Sequence, residues 1–251
     1  MVIRAAIDAN VQLSRSANRY LRIPRDETLW NRFSLEAAAL IRALPNGATA
    51  LDLGGGRRCA YANAVQPPGR VRLIAVDISP EELAANTDVE ETFAADVAAG
   101  LPMPDASADL ILSHTLLEHV DGVPAAIGHM ARVLRPGGTA LHLVPCRYSL
   151  FGTAARLLPF GPLLHLTHAV MPQTRGVIEF PVLYDHCWPQ ALEREFRAAG
   201  FTRVETWVTW AQTGYFEAIF PLYLLAAAYE QVVRLLRIRK LAAYTVVRAV
   251  R

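Results

Sequence analysis

Cysteine is scarce in this 251-residue chain, and its three copies, Cys59, Cys146 and Cys187, stand far apart. That spacing excludes a CxxC pair and a disulfide framework, and it suits a reducing cytoplasm. An excess of one charge is also missing: 25 Lys and Arg face 23 Asp and Glu, for a net +2. With no dense basic run, no nucleic-acid partner is expected. Asp8 and Asn10 interrupt any apolar N-terminal run, so no secretory signal is expected. Internal repeats and low-complexity segments are absent. What the chain does hold is apolar residue, 53% of the total. With its positive mean hydropathy, that calls for a large core or an apolar working surface. The length fits one large α/β domain, or such a domain with an elaboration.

The organising stretch is Thr49-Ala50-Leu51-Asp52-Leu53-Gly54-Gly55-Gly56-Arg57-Arg58. It opens as an apolar strand, places an acid at the strand's end and breaks into three glycines. A strand running into glycines and then a helix presents bare backbone N–H groups beside a helix N-terminus, a place to hold a nucleotide-like ligand. Glycine lets the ligand approach the backbone where a Cβ would clash. A tight strand-to-helix turn without a ligand is the plainer alternative.

Residues 1–25 read as one or two helices with a break near Pro24. Asp26 can cap a helix through Leu29, Trp30, Phe33, Leu40 and Ile41, ending before Pro45-Asn46-Gly47. After the glycine strand come a short helix, the Pro67-Pro68-Gly69 turn and a buried strand from Val71 to Asp77. Ser79-Pro80-Glu81-Glu82 starts a helix, with Ser79 as cap, Pro80 at the first position and Glu82 closing the box. A weaker strand ends at Ala94-Ala95-Asp96-Val97, and another spans Ala108 to Ser113. A helix from Val123 to Leu134 stops at Arg135-Pro136-Gly137-Gly138, before a strand from Thr139 to Val144. Strands alternating with helices in this way call for a doubly wound parallel sheet, with its ligand at the C-terminal edge of the strands.

Acids at successive strand ends sharpen the reading. Asp77 follows Asp52 by 25 residues, which suits a carboxylate accepting hydrogen bonds from two ribose hydroxyls. Asp96 can accept from an exocyclic adenine amine, and the Val97 N–H can meet a ring nitrogen. Each acid can instead cap the helix that follows it.

With these features in order, the chain resembles the class I S-adenosylmethionine-dependent methyltransferases, and most of all the branch with the ubiquinone and menaquinone biosynthesis enzymes. The likeness is carried by LDLGGG (51–56), AVDIS (75–79), AADV (94–97), ADLILSHTLLEHV (108–120) and ARVLRPGG (131–138). It covers about residues 45–145, and Trp188 to Trp210 more loosely. The resemblance implies a seven-stranded, mostly parallel Rossmann-like sheet whose last strand is antiparallel. It implies S-adenosyl-L-methionine as cofactor, with Asp52 and Gly54, Gly55 and Gly56 at the methionine end. Asp77 then serves the ribose, Asp96 and Val97 the adenine, and Ile78 and Ser113 complete the cofactor-binding set. One departure stands out: the family's third loop glycine falls at Arg58. Either the loop turns sooner, or Arg58 points outward, or it pairs with the cofactor carboxylate; outward is favoured, as for most charged side chains.

Two competing readings remain at this stage. A nicotinamide-binding Rossmann enzyme usually has no acid just before its first glycine, whereas Asp52 stands there. A lipid- or partner-binding domain that kept the fold without the activity is the other. For an enzyme, His114 lies just beyond the fourth strand, where an acceptor is presented, and its ordinary pKa near 6.5 suits proton removal from a hydroxyl. A packing histidine is the alternative. Glu118 and His119 read as supports for the helix and the cofactor pocket, with His119, Tyr184, Asp185 and His186 as candidate substrate contacts. Related quinone-pathway enzymes can hold a metal here, but Thr115 stands where a further acid would help, so no metal is expected.

The segmentation expected is a helical stretch 1–44, a cofactor-binding α/β core 45–145, an apolar insertion 146–182 and a completion of the sheet over 183–251. From Gly122 through Ile178 there is no Asp or Glu at all. The insertion reads as short helices forming a lid over the acceptor pocket, or as simple packing on the sheet. Residues 218–229 are uncharged and apolar but only twelve long, with Pro221 among them, too short to cross a hydrocarbon core about 30 Å thick. Followed by Arg234, Arg237, Arg239 and Lys240, they suit either a core helix or one lying at a membrane surface. The expected acceptor is a small or lipid-linked apolar molecule, in a cytoplasmic protein for which peripheral membrane contact stays open.

Overall fold

The computed structural model describes residues 2–21, 28–159, 161, 167 and 181–251. The expected break at Pro24, the Asp26 cap and most of the lid insertion lie outside the described residues. The elements are α1 (Val2–Leu21), α2 (Thr28–Ala43), β1 (Thr49–Leu53), β2 (Arg72–Asp77), α3 (Pro80–Ala84), β3 (Glu91–Ala94) and β4 (Ala108–His114). They continue as α4 (Val123–Val133), β5 (Leu134–Pro145), α5 (Leu150–Leu157), α6 (Pro189–Ala198), β6 (Arg203–Thr209), α7 (Phe220–Leu235) and β7 (Tyr244–Val250).

The seven strands form one sheet in the order β3-β2-β1-β4-β5-β7-β6. β1 to β5 run parallel, and β7 enters antiparallel between β5 and β6. β1 is buried at all five positions, as a central parallel strand covered on both faces must be. Alternation sends Leu51 and Leu53 to one face, against Ile127 and Met130 of α4 and Phe196 of α6. Ala50, with Leu110 and Leu112 of β4, meets Phe33, Ala37 and Ile41 of α2 on the other. The registers Leu53↔Val76, Leu53↔Ser113 and Asp77↔Ala94 bring the strand ends level.

The first segment is a single helix through Leu21, within the one or two expected. Two local expectations differ. No α-helix follows the glycines; a 3-10 turn at Ala62–Ala64 stands there instead. Pro67 and Pro68 leave little room for one, and side chains take over its work. Asp88 accepts from Cys59 N–H at 3.0 Å, and Asn86 donates to the Gly55 and Gly56 carbonyls at 3.3 and 2.9 Å. The Arg-Pro-Gly-Gly turn lies inside β5, because Leu134 already pairs with Ala108 before the register shifts.

α7 makes its main contacts with α1 and with the 3-10 turn Thr213–Phe216. β6 and β7 are antiparallel neighbours, so their connection need not cross a sheet face. Asn10 accepts from Phe220 N–H at 2.9 Å and Asn18 from the Tyr223 hydroxyl at 3.1 Å, tying α1 to α7. The buried Glu230 carboxylate holds the preceding loop by accepting from Gln212 N–H at 3.1 Å and Thr213 N–H at 3.4 Å, and pairs with Arg234 at 3.1 Å.

Glu230→Ala strips buried donors of their acceptor, at roughly 1–3 kcal/mol for each group left unsatisfied. For a domain of this size the expected fall in Tm is roughly 4–10 °C. Thermal unfolding followed by circular dichroism measures it, and a fall below about 2 °C would mean that water replaces the carboxylate.

Candidate active site

The glycine loop and the next strand are joined by one hydrogen bond, from Gly56 N–H to Asp77 Oδ2 at 3.0 Å. Asp77 Oδ1 accepts the Ser79 N–H at 2.9 Å. Ser79 caps α3 as its sequence suggests, its hydroxyl accepting from Glu82 N–H at 3.2 Å. Glu82 does not close the box; it turns to Arg57 at 2.7 Å, and Asp77 fills that role. Arg58 points outward to Asp88 at 3.2 Å.

The cradle fits a nucleoside. Asp77 uses one acceptor direction on each oxygen for backbone, leaving the others for ligand hydroxyls. φ is +73° at Gly54 and +38° at Gly56, which a side chain rarely adopts, and a Cβ at Gly55 would stand 2.8 Å from Ala75 Cβ. Beside the acid, Ile78 is 62% exposed, an apolar surface on which a base ring can lie. Asp96 accepts the Ala98 N–H at 2.9 Å as a cap, with its carboxylate at the surface and Val97 buried next to it.

Asp52 lies deeper. Burial raises its carboxyl to about 7, a hydrogen bond from the Cys59 thiol offsets part of that, and the Asp77 charge adds to it. Ser113 is fully buried, and its hydroxyl bonds His142 Nδ1 at 2.7 Å. Only its backbone is therefore left to serve a cofactor. Burial lowers the His142 pKa to about 3, so that ring is neutral.

At the end of β4 the His114 ring packs on Trp30 at 4.9 Å and Phe33 at 5.5 Å, keeping an exposed edge. Its apolar surroundings lower its pKa, so the imidazole is neutral and able to accept a proton near pH 7. Trp30 continues to Tyr244 at 5.1 Å, Tyr244 to Phe151 at 5.4 Å and Phe151 to Tyr215 at 4.6 Å. The hydroxyls of Tyr215 and Tyr244 bond each other. This aromatic belt draws on α2, β4, α5, β7 and the loop before α7. Behind it, burial pushes Glu118 up to about 8, and its Oε2 has no partner among the described residues.

The remaining candidates lie where the loop over 181–186 packs on residues 118–123. Tyr184 is buried, its N–H donating to the Glu118 carbonyl at 2.9 Å. Asp185 accepts the Val123 N–H at 3.1 Å, capping α4 where Gly122 offers no side chain. His186 bonds Asp185 at 2.6 Å and stacks on Trp188, and His119 Nδ1 meets the Pro181 carbonyl at 2.8 Å. The sequence reading did not single out Trp30, Phe151, Tyr215 and Tyr244, whose rings the fold brings together. No spacing signal could have found them, since they converge from far apart in the chain.

Two outcomes follow. Asp77→Ala should weaken S-adenosylhomocysteine binding by tenfold or more, at roughly 1.5–3 kcal/mol per hydrogen bond to a charged group; calorimetry showing equal affinity would remove Asp77 from the site. Asp52 and Glu118 hold protons more tightly folded than unfolded, with pKa values raised from 3.8 to about 7 and from 4.5 to about 8. Stability is therefore expected to fall as pH rises across those windows. Glu118→Gln should flatten the decline above pH 4.5, and denaturant titrations along a pH series would show an unchanged slope if this is wrong.

Comparison with known proteins gives the family. Over 124 residues the chain is 32% identical to the ubiquinone/menaquinone biosynthesis C-methyltransferase UbiE of Hahella chejuensis, a match covering 46% of this chain and 48% of that one. The chain thus spans about half the length of the curated relatives it matches. Among solved structures, an S-adenosylmethionine-dependent methyltransferase from Archaeoglobus fulgidus superposes with TM-score 0.56 at 14% identity, covering 93% of this chain and 97% of that one. A Haemonchus contortus phosphoethanolamine N-methyltransferase holding S-adenosylhomocysteine superposes with TM-score 0.54 at 16% identity, covering 88% and 52%. Those two likenesses show the fold. Residues 25–206 match the family described as Methyltransferase domain, and with Asp77 and the glycine loop in place the chain belongs to that S-adenosylmethionine-dependent methyltransferase family.

Proposed function

We propose that the chain methylates an apolar, lipid-linked acceptor whose reacting part is a flat hydroxylated ring. The observation that carries this reading is the belt Trp30–Tyr244–Phe151–Tyr215, set at the C-terminal ends of β4 and β5 beside the glycine loop. Aromatic walls favour flat rings and desolvate them, and the Tyr215 and Tyr244 hydroxyls offer hydrogen bonds to ring oxygens. The likeness to a C-methyltransferase of quinone biosynthesis supports a quinol-like ring.

The cofactor supplies an electrophilic methyl group and leaves as S-adenosylhomocysteine. The protein's part is alignment: Asp77 and the glycine loop fix the nucleoside, with Asp96, Val97 and Ile78 at its base, while the belt fixes the acceptor. Such positioning is worth on the order of 7–11 kcal/mol. His114, neutral at the ring edge, would take the hydroxyl proton when oxygen is the acceptor atom; when the adjoining ring carbon is the acceptor, the hydrogen on that carbon would then leave as a proton to water, with the ring oxygen reprotonated. The apolar insertion around α5 belongs to the acceptor pocket in this reading, and an apolar tail calls for peripheral contact with a membrane.

Incubation with radiolabelled S-adenosylmethionine and a lipid extract should place label in the lipid phase; label only in water-soluble products would reject the lipid-linked acceptor. A chain that failed to bind S-adenosylhomocysteine would instead be a binding domain that kept the fold. His114→Ala is expected to lower turnover by roughly 10²–10⁴-fold with cofactor affinity nearly intact. Because the His114 pKa is lowered, the acid limb of kcat should lie below about pH 6.5 and vanish in the variant. A loss under tenfold would make His114 a packing residue.

A further inference from the structure

We infer that the outward side of α7, with the basic residues at its end, docks on an anionic lipid bilayer surface and holds the acceptor pocket against it. The inference rests on the lipid-linked reading and adds the surface and the partner. Tyr223, Ala227 and Glu230 mark the buried side of α7. The opposite side presents Leu225, Val232, Leu235 and Leu236, exposed by 69%, 54%, 82% and 62%. Four large apolar side chains at helical spacing on one exposed stripe make an interaction surface, not scattered surface leucines.

Charge selects the occupant. Of the cations in residues 219–240, Arg234 pairs with the buried Glu230 at 3.1 Å, Arg239 with Glu193 at 2.6 Å, and Lys240 lies over the Tyr148 ring at 4.7 Å. Arg237, directly after the stripe, is exposed, as are Arg4 and Arg19 on the neighbouring α1. Cations beside an apolar stripe suit anionic headgroups above acyl chains; a second copy of this chain would bring the same cations together. Across the described residues no helix is long and apolar enough to span a membrane, so the contact is one of lying on the surface.

The buried side of the docked helix is coupled to the aromatic belt. Glu230 holds the backbone of Gln212 and Thr213, and Gln212 Oε1 in turn accepts the Leu150 N–H at 2.8 Å, at the start of α5. Tyr215, in the turn packed on α7, stacks on Phe151 of α5 and bonds Tyr244. A helix seated on the bilayer therefore presents the aromatic belt close to where a tail-anchored ring emerges.

Flotation of the full chain with phosphatidylcholine vesicles, with and without phosphatidylglycerol, tests this. Binding is expected to the mixed vesicles, weakened by salt, and lowered tenfold or more by Leu225→Ser with Leu235→Ser, and likewise by Arg237→Glu. S-adenosylhomocysteine affinity should be unchanged in both variants, which shows that they fold. No flotation with the mixed vesicles, or equal flotation of the variants, overturns the inference. So does a wild-type dimer in sedimentation that the leucine variant dissolves, for a second copy would then cover the stripe. Flotation needs neither cofactor nor acceptor, so its failure is distinct from failure of the labelling assay, which strikes the methyl-transfer reading.

Discussion

The bond from Gly56 N–H to Asp77 Oδ2 is the point on which the cofactor site depends. It closes the glycine loop of β1 onto the end of β2, and Asp77 meets α3 through Ser79 with its other oxygen. One carboxylate thus fixes a loop, a strand end and a helix start while keeping acceptor directions for a ligand. The loop needs that help because no α-helix follows the glycines. Asn86 and Asp88 brace it from the far side, so Arg58 can replace a small residue simply by pointing away.

The proposed acceptor side is built on a different principle. No dedicated motif supplies it; rings from both ends of the chain meet over the edge of the sheet, with Trp30 from the start and Tyr244 from the last strand. The antiparallel entry of β7 makes this possible, since it puts the first residue of that strand opposite Pro145, at the end of β5. Burial then sets the chemistry. Burial lowers the His114 pKa and, separately, holds Glu118 protonated up to about 8.

α7 turns the apolar character of the composition into a surface. Inserted between antiparallel neighbours, it rests on α1 and leaves a leucine stripe outside. Glu230 and Gln212 make that outlying pair of helices continuous with the wall of the pocket.

The sequence by itself determined the strand–helix alternation and the local chemistry of the glycine loop and its neighbouring strand ends. Those features are local: β1 and β2 read as apolar runs ending in Asp52, Gly54 and Asp77, and Ser79-Pro80 announces its helix through backbone chemistry that a few residues contain. Local pattern also misled where tertiary partners outweigh it. Glycines before a would-be helix end in a 3-10 turn braced by Asn86, and Arg-Pro-Gly-Gly lies within a strand because Leu134 finds Ala108. Only the tertiary structure decided which polar candidates face a ligand. Asp185 and Ser113 look alike as candidates in sequence, yet one caps α4 and the other is sealed against His142. It alone assembled Trp30, Phe151, Tyr215 and Tyr244, and it alone set α7 on α1 and away from the sheet. Contacts between residues far apart in the chain leave no periodicity to read; they arise when the sheet closes and its two faces demand cover.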